Sequence, residues 1–138
     1  MIDAALVLPR RVAVRILGEA QTAQPSRISG LVAADTSGPV SFVRIRNAAP
    51  QPETAIVHSG DDLSLARMAL DGRGCQLWAY VTSHPATAAI PSVREVLDSP
   101  FPDALQLVVS LSTKGVLEMR AWERHDAQLR ERTLKVFG

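Results

Sequence analysis

The residues best equipped for chemistry lie close together in the chain. Val81-Thr82-Ser83-His84-Pro85 leads, through a run of small residues, into Pro91-Ser92-Val93-Arg94-Glu95. His84 brings an imidazole that can bind a metal or carry a proton. Ser92 follows eight residues later, and Glu95 three residues after that. An imidazole, a hydroxyl and a carboxylate at these spacings fit two kinds of structure. As a metal site the stretch is short of donors, because a catalytic zinc takes three protein ligands and a water. Thr82 adds only a neutral hydroxyl, a poor ligand beside imidazole or carboxylate. As a helix start, Ser92 and Glu95 form a capping box, with the serine accepting from the backbone three residues on and the glutamate reaching back. The capping role is the preferred reading of these residues by themselves.

Other reactive side chains give less. His58 stands just before an expected helix and reads as a helix-entry residue, since nothing in its spacing brings it near His84. His125 reads as a solvated turn residue. Ser83, Ser92 and His84 do not make a serine hydrolase, because no G-x-S-x-G elbow accompanies them. Cys75 is the single cysteine, so no intrachain disulfide can form. With Arg73 as its one nearby cation it reads as an inert, partly buried thiol. Trp78, Tyr80 and Trp122 sit in apolar runs and read as core.

The elements that must hold these groups follow from periodicity. Leu8-Pro9 opens a helix to about Ala23, with Pro9 in the first turn and Val12, Ile16 and Ala20 on one face. Ile28–Ala34 and Val40–Arg46 read as strands about a turn at Asp35–Pro39. Asn47–Thr54 is a loop. Ser59 caps a second helix to about Asp71, closed by Gly72-Arg73-Gly74, with Leu63, Ala66 and Leu70 as its buried stripe. Gln76–Thr82 is nearly all apolar, as a strand covered on both faces is, and it places His84 at its exit. A loop over 83–91 precedes a short helix from Ser92. Leu105–Leu111 and Val116–Trp122 read as a hairpin across Ser-Thr-Lys-Gly. An alternating segment, Gln128–Phe137, follows a turn at Arg124–Ala127. This order of elements is α+β, in a single domain spanning 1–138.

The spacing His84-Pro85…Pro91-Ser92-Val93-Arg94-Glu95 resembles the signature H-x-H-P…P-S-x-x-D of the JAMM/MPN metallopeptidases. In that family two histidines and the aspartate bind zinc. An upstream glutamate is the general base, and the serine helps hold the tetrahedral oxyanion. The likeness runs through nearly the whole chain. Arg27-Ile28-Ser29-Gly30-Leu31 is similar to the family's E-x-C-G-L strand, and Asn47-Ala48-Ala49-Pro50 to the segment before its second helix. Leu107–Ser110 and Leu117–Trp122 are similar to its closing strands. Ser59-Gly60-Asp61-Asp62-Leu63 and the His84 stretch look closest to the actinobacterial branch that trims ubiquitin-like sulfur carrier proteins. The resemblance implies a cytidine-deaminase-like central mixed β-sheet flanked by helices.

Laid on that pattern, the departures are sharp. His84 and Glu95 fall at metal positions, Thr82 at a lost histidine, Ser92 at the oxyanion position and Arg27 at the general base. A guanidinium cannot abstract a proton, and it repels a cation. A buried Arg27 would need a partner, and Glu95 is the one within reach. The resemblance thus implies an inactive domain that binds or assembles with a protein, a ubiquitin-like or sulfur carrier protein or another MPN-type chain, or that forms a homodimer. No cofactor is expected on this reading. The alternative is a residual zinc-dependent isopeptidase or cysteine-releasing peptidase using His84, Glu95 and some third ligand.

Composition narrows the setting. The chain has 138 residues, is 46% hydrophobic and 21% charged, and carries a net charge of +1. That balance gives no electrostatic case for nucleic acid. Residues 47–113 hold three basic and seven acidic groups, whereas residues 1–46 hold six and three. The first residues lack a signal-peptide pattern. Gly74–Val93 is uncharged but too polar and proline-broken for a membrane span. The expected setting is the cytoplasm.

Overall fold

Val12, Ala13, Ile16 and Ala20 are buried along one side of the first helix, as their spacing requires. The computed structural model, which describes residues 4–112, 118–126 and 128–138, arranges the chain as follows. β1 (Leu6–Pro9) leads into α1 (Arg10–Ala23). β2 (Ser29–Asp35) and β3 (Gly38–Ile45) precede α2 (Gly60–Gly72). β4 (Gln76–His84), α3 (Val93–Leu97), β5 (Leu105–Ser110), β6 (Glu118–His125), β7 (Gln128–Arg132) and β8 (Leu134–Phe137) complete it.

Six strands make one mixed sheet in the order β3-β2-β4-β5-β6-β7. β4 and β5 run parallel, and the other described neighbours in that sheet are antiparallel. α1 packs on one face, where Val12, Ile16, Val32, Val81, Leu107 and Val109 form the larger apolar cluster. α2 covers part of the other face through Ala66 and Leu70, against Leu31, Ala33, Ile45 and Tyr80. The fold is therefore α+β with a mixed central sheet between helices.

Strand alternation now sorts the chemistry. On β4, Ala79 and Val81 join the α1 cluster, while Tyr80 points to the α2 side. Period-two geometry sends Thr82 and His84 to the same side as Tyr80. Ser29 pairs with Thr82 in the register of β2 and β4. Gly30, the next residue, has no room for a side chain. A Cβ there would lie 2.5 Å from the Val43 carbonyl oxygen and 2.6 Å from the Phe42 ring. The absent side chain lets Phe42 lie across β2 and seal the α1 face.

Several boundaries differ from expectation. Pro9 is the N-cap of α1, one position before the first turn. The apolar residues ahead of it form β1, which pairs in parallel with β8 as a separate two-stranded sheet. The segment 128–137 is therefore two strands broken at Thr133, with β8 leaving the main sheet. β4 runs to His84, two residues past the expected end, because β5 pairs with it through Ser110. His125 is the last residue of β6, paired with Gln128 and 3.1 Å from the Glu123 carboxylate. The expected link between β5 and β6 falls mostly on residues 113–117, outside the described residues. Among the described residues no helix is long and apolar enough to cross a membrane.

Candidate functional site

The groove of interest lies over the α2 side of the sheet, where β2, β4, α3 and the 47–59 loop meet. Arg27 comes from just before β2, and its guanidinium is held from two directions. Nε donates to the Ser83 carbonyl at 3.0 Å, and Nη2 lies 3.3 Å from Glu95 Oε2. Its backbone is fixed as well, with the Arg27 N–H donating to the Pro52 carbonyl and the Arg27 carbonyl accepting from Asn47 Nδ2. The pairing of Arg27 with Glu95 is the one its charge demanded.

His84 completes the group. Its Nδ1 is 2.8 Å from the Ala88 carbonyl oxygen and its Nε2 is 2.9 Å from Glu95 Oε2. A carbonyl can only accept, so Nδ1 carries a proton. Nε2 then faces the Glu95 carboxylate, so the imidazole bridges the 85–88 turn and the helix start. Glu95 Oε2 thus receives both Arg27 and His84. The capping box exists at the same time, with Ser92 Oγ accepting from Glu95 N–H at 3.1 Å and Glu95 Oε1 facing Ser92 N–H at 3.4 Å. The two roles weighed for Glu95 are compatible because each uses a different carboxylate oxygen.

The side chains of Arg27, Glu95 and His84 are 14%, 31% and 5% exposed. Burial alone would raise the Glu95 carboxyl. The hydrogen bond and charge of His84, then Arg27, then Ser92 N–H outweigh it and hold that carboxyl below its ordinary value. Thr82 lines the groove beside them, but its hydroxyl makes no hydrogen bond to the group. Ser92 Oγ is spent on the cap.

Cavities lie on both sides of the Arg27–Glu95 contact. One, of about 330 Å³, is lined by His58, Tyr80, Thr82, Arg94 and Asp98 among others. The other, of about 540 Å³, is bounded by Pro25, Glu53, His84 and Pro85. Arg27 and Glu95 belong to both walls, so the ion pair is the ridge between them.

His58 was read as a helix-entry residue, and it is more than that. Its Nδ1 donates to the Arg46 carbonyl at 3.0 Å, which leaves Nε2 as the acceptor between Ser29 Oγ at 2.9 Å and Tyr80 OH at 3.0 Å. The loop from Asn47 delivers it there. Asn47 Oδ1 accepts from Ala49 and Val57 N–H, while Nδ2 donates to the Ala55 carbonyl. Only the parity of Tyr80 with Thr82 and His84 could have placed that phenol in the groove; no local signal marks His58. Burial pushes the Tyr80 phenol up to about 12, against smaller opposing effects from Ser29 and Arg27. It therefore stays a donor. Ser29 is wholly buried, so this Ser–His contact is a structural hydrogen bond with no access for a substrate.

The donors do not fit a zinc ion. Two ligand types, His84 and Glu95, share one point, and the space beside them is taken by a guanidinium and a threonine. Among the described residues no three His, Cys, Asp or Glu side chains form a group that could hold a metal.

No protein-family model matches the sequence, and no curated protein matches it. Solved structures do match in shape. A solution structure of a protein from Desulfitobacterium hafniense has a TM-score of 0.76 at 21% identity, over 96% of this chain and 92% of that one. A solution structure of a protein from Salinibacter ruber gives 0.66 at 18%, over 96% and 91%. The crystal structure of a JAB1/MPN domain protein from Archaeoglobus fulgidus gives 0.60 at 14%, over 96% and 99%. The chain has the fold of a JAB1/MPN domain, with a groove whose charged residues bond to one another.

Proposed function

We propose that this chain is a catalytically inactive JAMM/MPN-like domain that works as a binding or assembly module. The observation that carries the reading is the Arg27 guanidinium, bonded to Glu95 and to the Ser83 carbonyl. It stands at the position the family pattern gives to a general base, and its charge opposes the ion that base would serve. His84 and Glu95, at metal positions in that pattern, are bound to each other. Ser92, at the oxyanion position, has its hydroxyl engaged as a helix cap. The partner class favoured by kinship is a ubiquitin-like or sulfur carrier protein, or a second MPN-type chain, including another copy of this one.

Elemental analysis after gentle purification tests the inactive half of the proposal. The expected result is far less than one zinc per chain. The triple change Arg27→Glu, Thr82→His and Glu95→Asp, which supplies the family's donors, should retain zinc through dialysis. Stoichiometric zinc in the unaltered protein, together with cleavage of a carrier-protein extension, would instead establish a metallopeptidase with a non-standard ligand set. Calorimetric titration with a ubiquitin-like sulfur carrier, and light scattering of the chain alone, test the partner half. Saturable binding or a defined dimer is expected, and a monomer inert to both partner types would refute it.

A further inference from the structure

The 47–59 loop folds back along the end of β3, where His58 Nδ1 donates to the Arg46 carbonyl and Ala48 N–H to the Val57 carbonyl. The backbone there is committed, and what remains available is a set of side chains. Phe42 packs in the α1 cluster and Ile45 in the α2 cluster. Alternation therefore sends Arg44, and Arg46 just beyond the strand, to the α1 side, about 7 Å apart. Both are exposed, and neither guanidinium forms an ion pair or hydrogen bond among the described residues. Arg120, Arg130 and Arg132 of β6 and β7, by contrast, each meet a glutamate. With Ser26, Arg27, Asn47 and Pro52, the two arginines line an open concavity of about 520 Å³ that has no carboxylate in its wall. The wall is fixed by its backbone. Ser26 N–H donates to the Ala23 carbonyl, Arg27 N–H donates to the Pro52 carbonyl, and both ends of the Asn47 amide are bonded. The Ser26 hydroxyl has no partner among the described residues. Arg27 adds wall and not charge, since its guanidinium is engaged by Glu95 and the Ser83 carbonyl.

We propose that this concavity binds a phosphate monoester, held by the guanidinium groups of Arg44 and Arg46 and the hydroxyl of Ser26. Arginine presents a planar fork of donors that matches phosphate oxygens in pairs. Two such forks and one hydroxyl suit a dianion with three terminal oxygens. A single carboxylate, with one charge and two oxygens, would satisfy one arginine and leave the other. A nucleic-acid backbone asks for an extended basic stripe, whereas these donors gather at one end of the sheet in a chain of net charge +1. α1 ends beside Ser26, and free carbonyls there would repel an anion. Those of Gln21 and Ala23 are already taken by the N–H groups of Gln24 and Ser26. The inference goes beyond the binding-module reading and does not depend on it, because none of its three donors stands at a metal or general-base position.

The probe is glycerol phosphate, a soluble phosphate monoester, titrated at constant ionic strength and followed by backbone and guanidinium NMR shifts. Saturable shifts in the millimolar range, confined to the neighbourhood of Ser26, Arg44, Arg46 and Asn47, are expected. Arg44→Gln with Arg46→Gln, at exposed positions that leave the core intact, should weaken binding by at least about tenfold. Ser26→Ala should weaken it a few-fold. Arginine stays charged throughout, whereas the ester passes from monoanion to dianion at about pH 6. Affinity should therefore rise between about pH 5 and about pH 7.5 for glycerol phosphate relative to sulfate, which is a dianion across that range. His58, bonded to the Arg46 carbonyl, is the nearby group that titrates, and its effect is common to both anions. Vesicles of phosphatidylcholine, with and without phosphatidic acid, separate the sources of the ester. Retention on the phosphatidic acid vesicles that the double change abolishes would assign a lipid headgroup, and binding of glycerol phosphate alone a soluble ligand; either sustains the site. No saturable binding, shifts spread over the whole basic surface, binding untouched by the double change, or a pH dependence shared with sulfate would each overturn it. Tighter binding of a peptide alternating valine and glutamate at the same residues would also overturn it, and would hand the arginines to an acidic protein segment.

Discussion

The densest chemistry rests on a single carboxylate oxygen. Glu95 Oε2 meets Arg27 Nη2 at 3.3 Å and His84 Nε2 at 2.9 Å, so removing either partner leaves charge in a partly buried place. Arg27 is 14% exposed and Glu95 31%, between the surface pairs that contribute little and the buried pairs whose rupture is severe. Arg27→Ala should therefore destabilise by about 1–3 kcal/mol. The double change with Glu95→Gln should recover part of that loss, and denaturant unfolding of the four variants reads the coupling. Strict additivity would mean the contact carries no energy. The same carboxylate makes stability depend on pH in a defined direction. Its folded-state carboxyl is held below the ordinary 4.5, so the folded chain takes up that proton less readily than the unfolded chain. The contribution is complete above the ordinary carboxylate range and is lost as pH falls through the depressed folded value. Asp35 and Glu123 also carry lowered carboxyls, so the informative quantity is a difference. The stability gap between the unaltered protein and Glu95→Gln should narrow as the pH is taken from about 6 to about 3, and a constant gap would detach Glu95 from the network.

At the scale of the elements, the local rules that govern single segments were readable and the pairings between distant segments were not. Ser59 and Ser92 each cap a helix through the backbone N–H three residues on, as serine at those places implies. Ser92→Ala should cost about 1 kcal/mol. It should also loosen the hold on Glu95, so its effect and that of Arg27→Ala should not simply add. By contrast, β1 consists of only Leu6–Pro9 and gains definition from β8, more than a hundred residues away; no periodicity in so short a run announces a strand. His58 stands at the entry to α2 as its place in the chain implies, but its contacts to Ser29 and Tyr80 were not legible, for the same reason. Its position comes from Asn47 stitching a loop together, and loop geometry leaves little trace in residue order. Gly30 shows the opposite case, a motif residue whose reason appears only in three dimensions. Gly30→Ala would drive a methyl into the Phe42 ring and the Val43 carbonyl. β2 and β3 must then part or the ring must turn, at about 1–3 kcal/mol, measurable as a lowered denaturation midpoint. An unchanged midpoint would mean that the ring moves freely and that Gly30 is not what seats it.

Across the whole molecule, the groove joins parts of very different robustness. Its floor is β2 and β4, each hydrogen-bonded on both sides. Around them Ile28, Val32, Val81, Leu107 and Val109 are fully buried. One rim is α3, a helix of five residues in which Val96 is the buried side chain. The opposite rim is the loop that carries His58. Apolar burial stabilises the floor broadly, whereas the α3 rim depends on the capping box and on the Glu95 contacts to Arg27 and His84. Local opening free energies follow such differences, so the two parts should exchange amide hydrogens independently. The slowest amides are expected in β2, β4 and β5, and those of Glu95, Val96 and Asp98 should exchange far faster, through opening of α3 alone. Glu95→Gln removes the charge that ties α3 to the floor. It should speed those three amides by a larger factor than it speeds β4, because β4 feels only the loss of global stability. Hydrogen exchange followed by NMR in both proteins provides the measurement. Equal acceleration of rim and floor would show that α3 and the sheet open as one unit, with the ion network already part of the cooperative core. A larger acceleration at the rim would make that network the latch that closes one side of the groove.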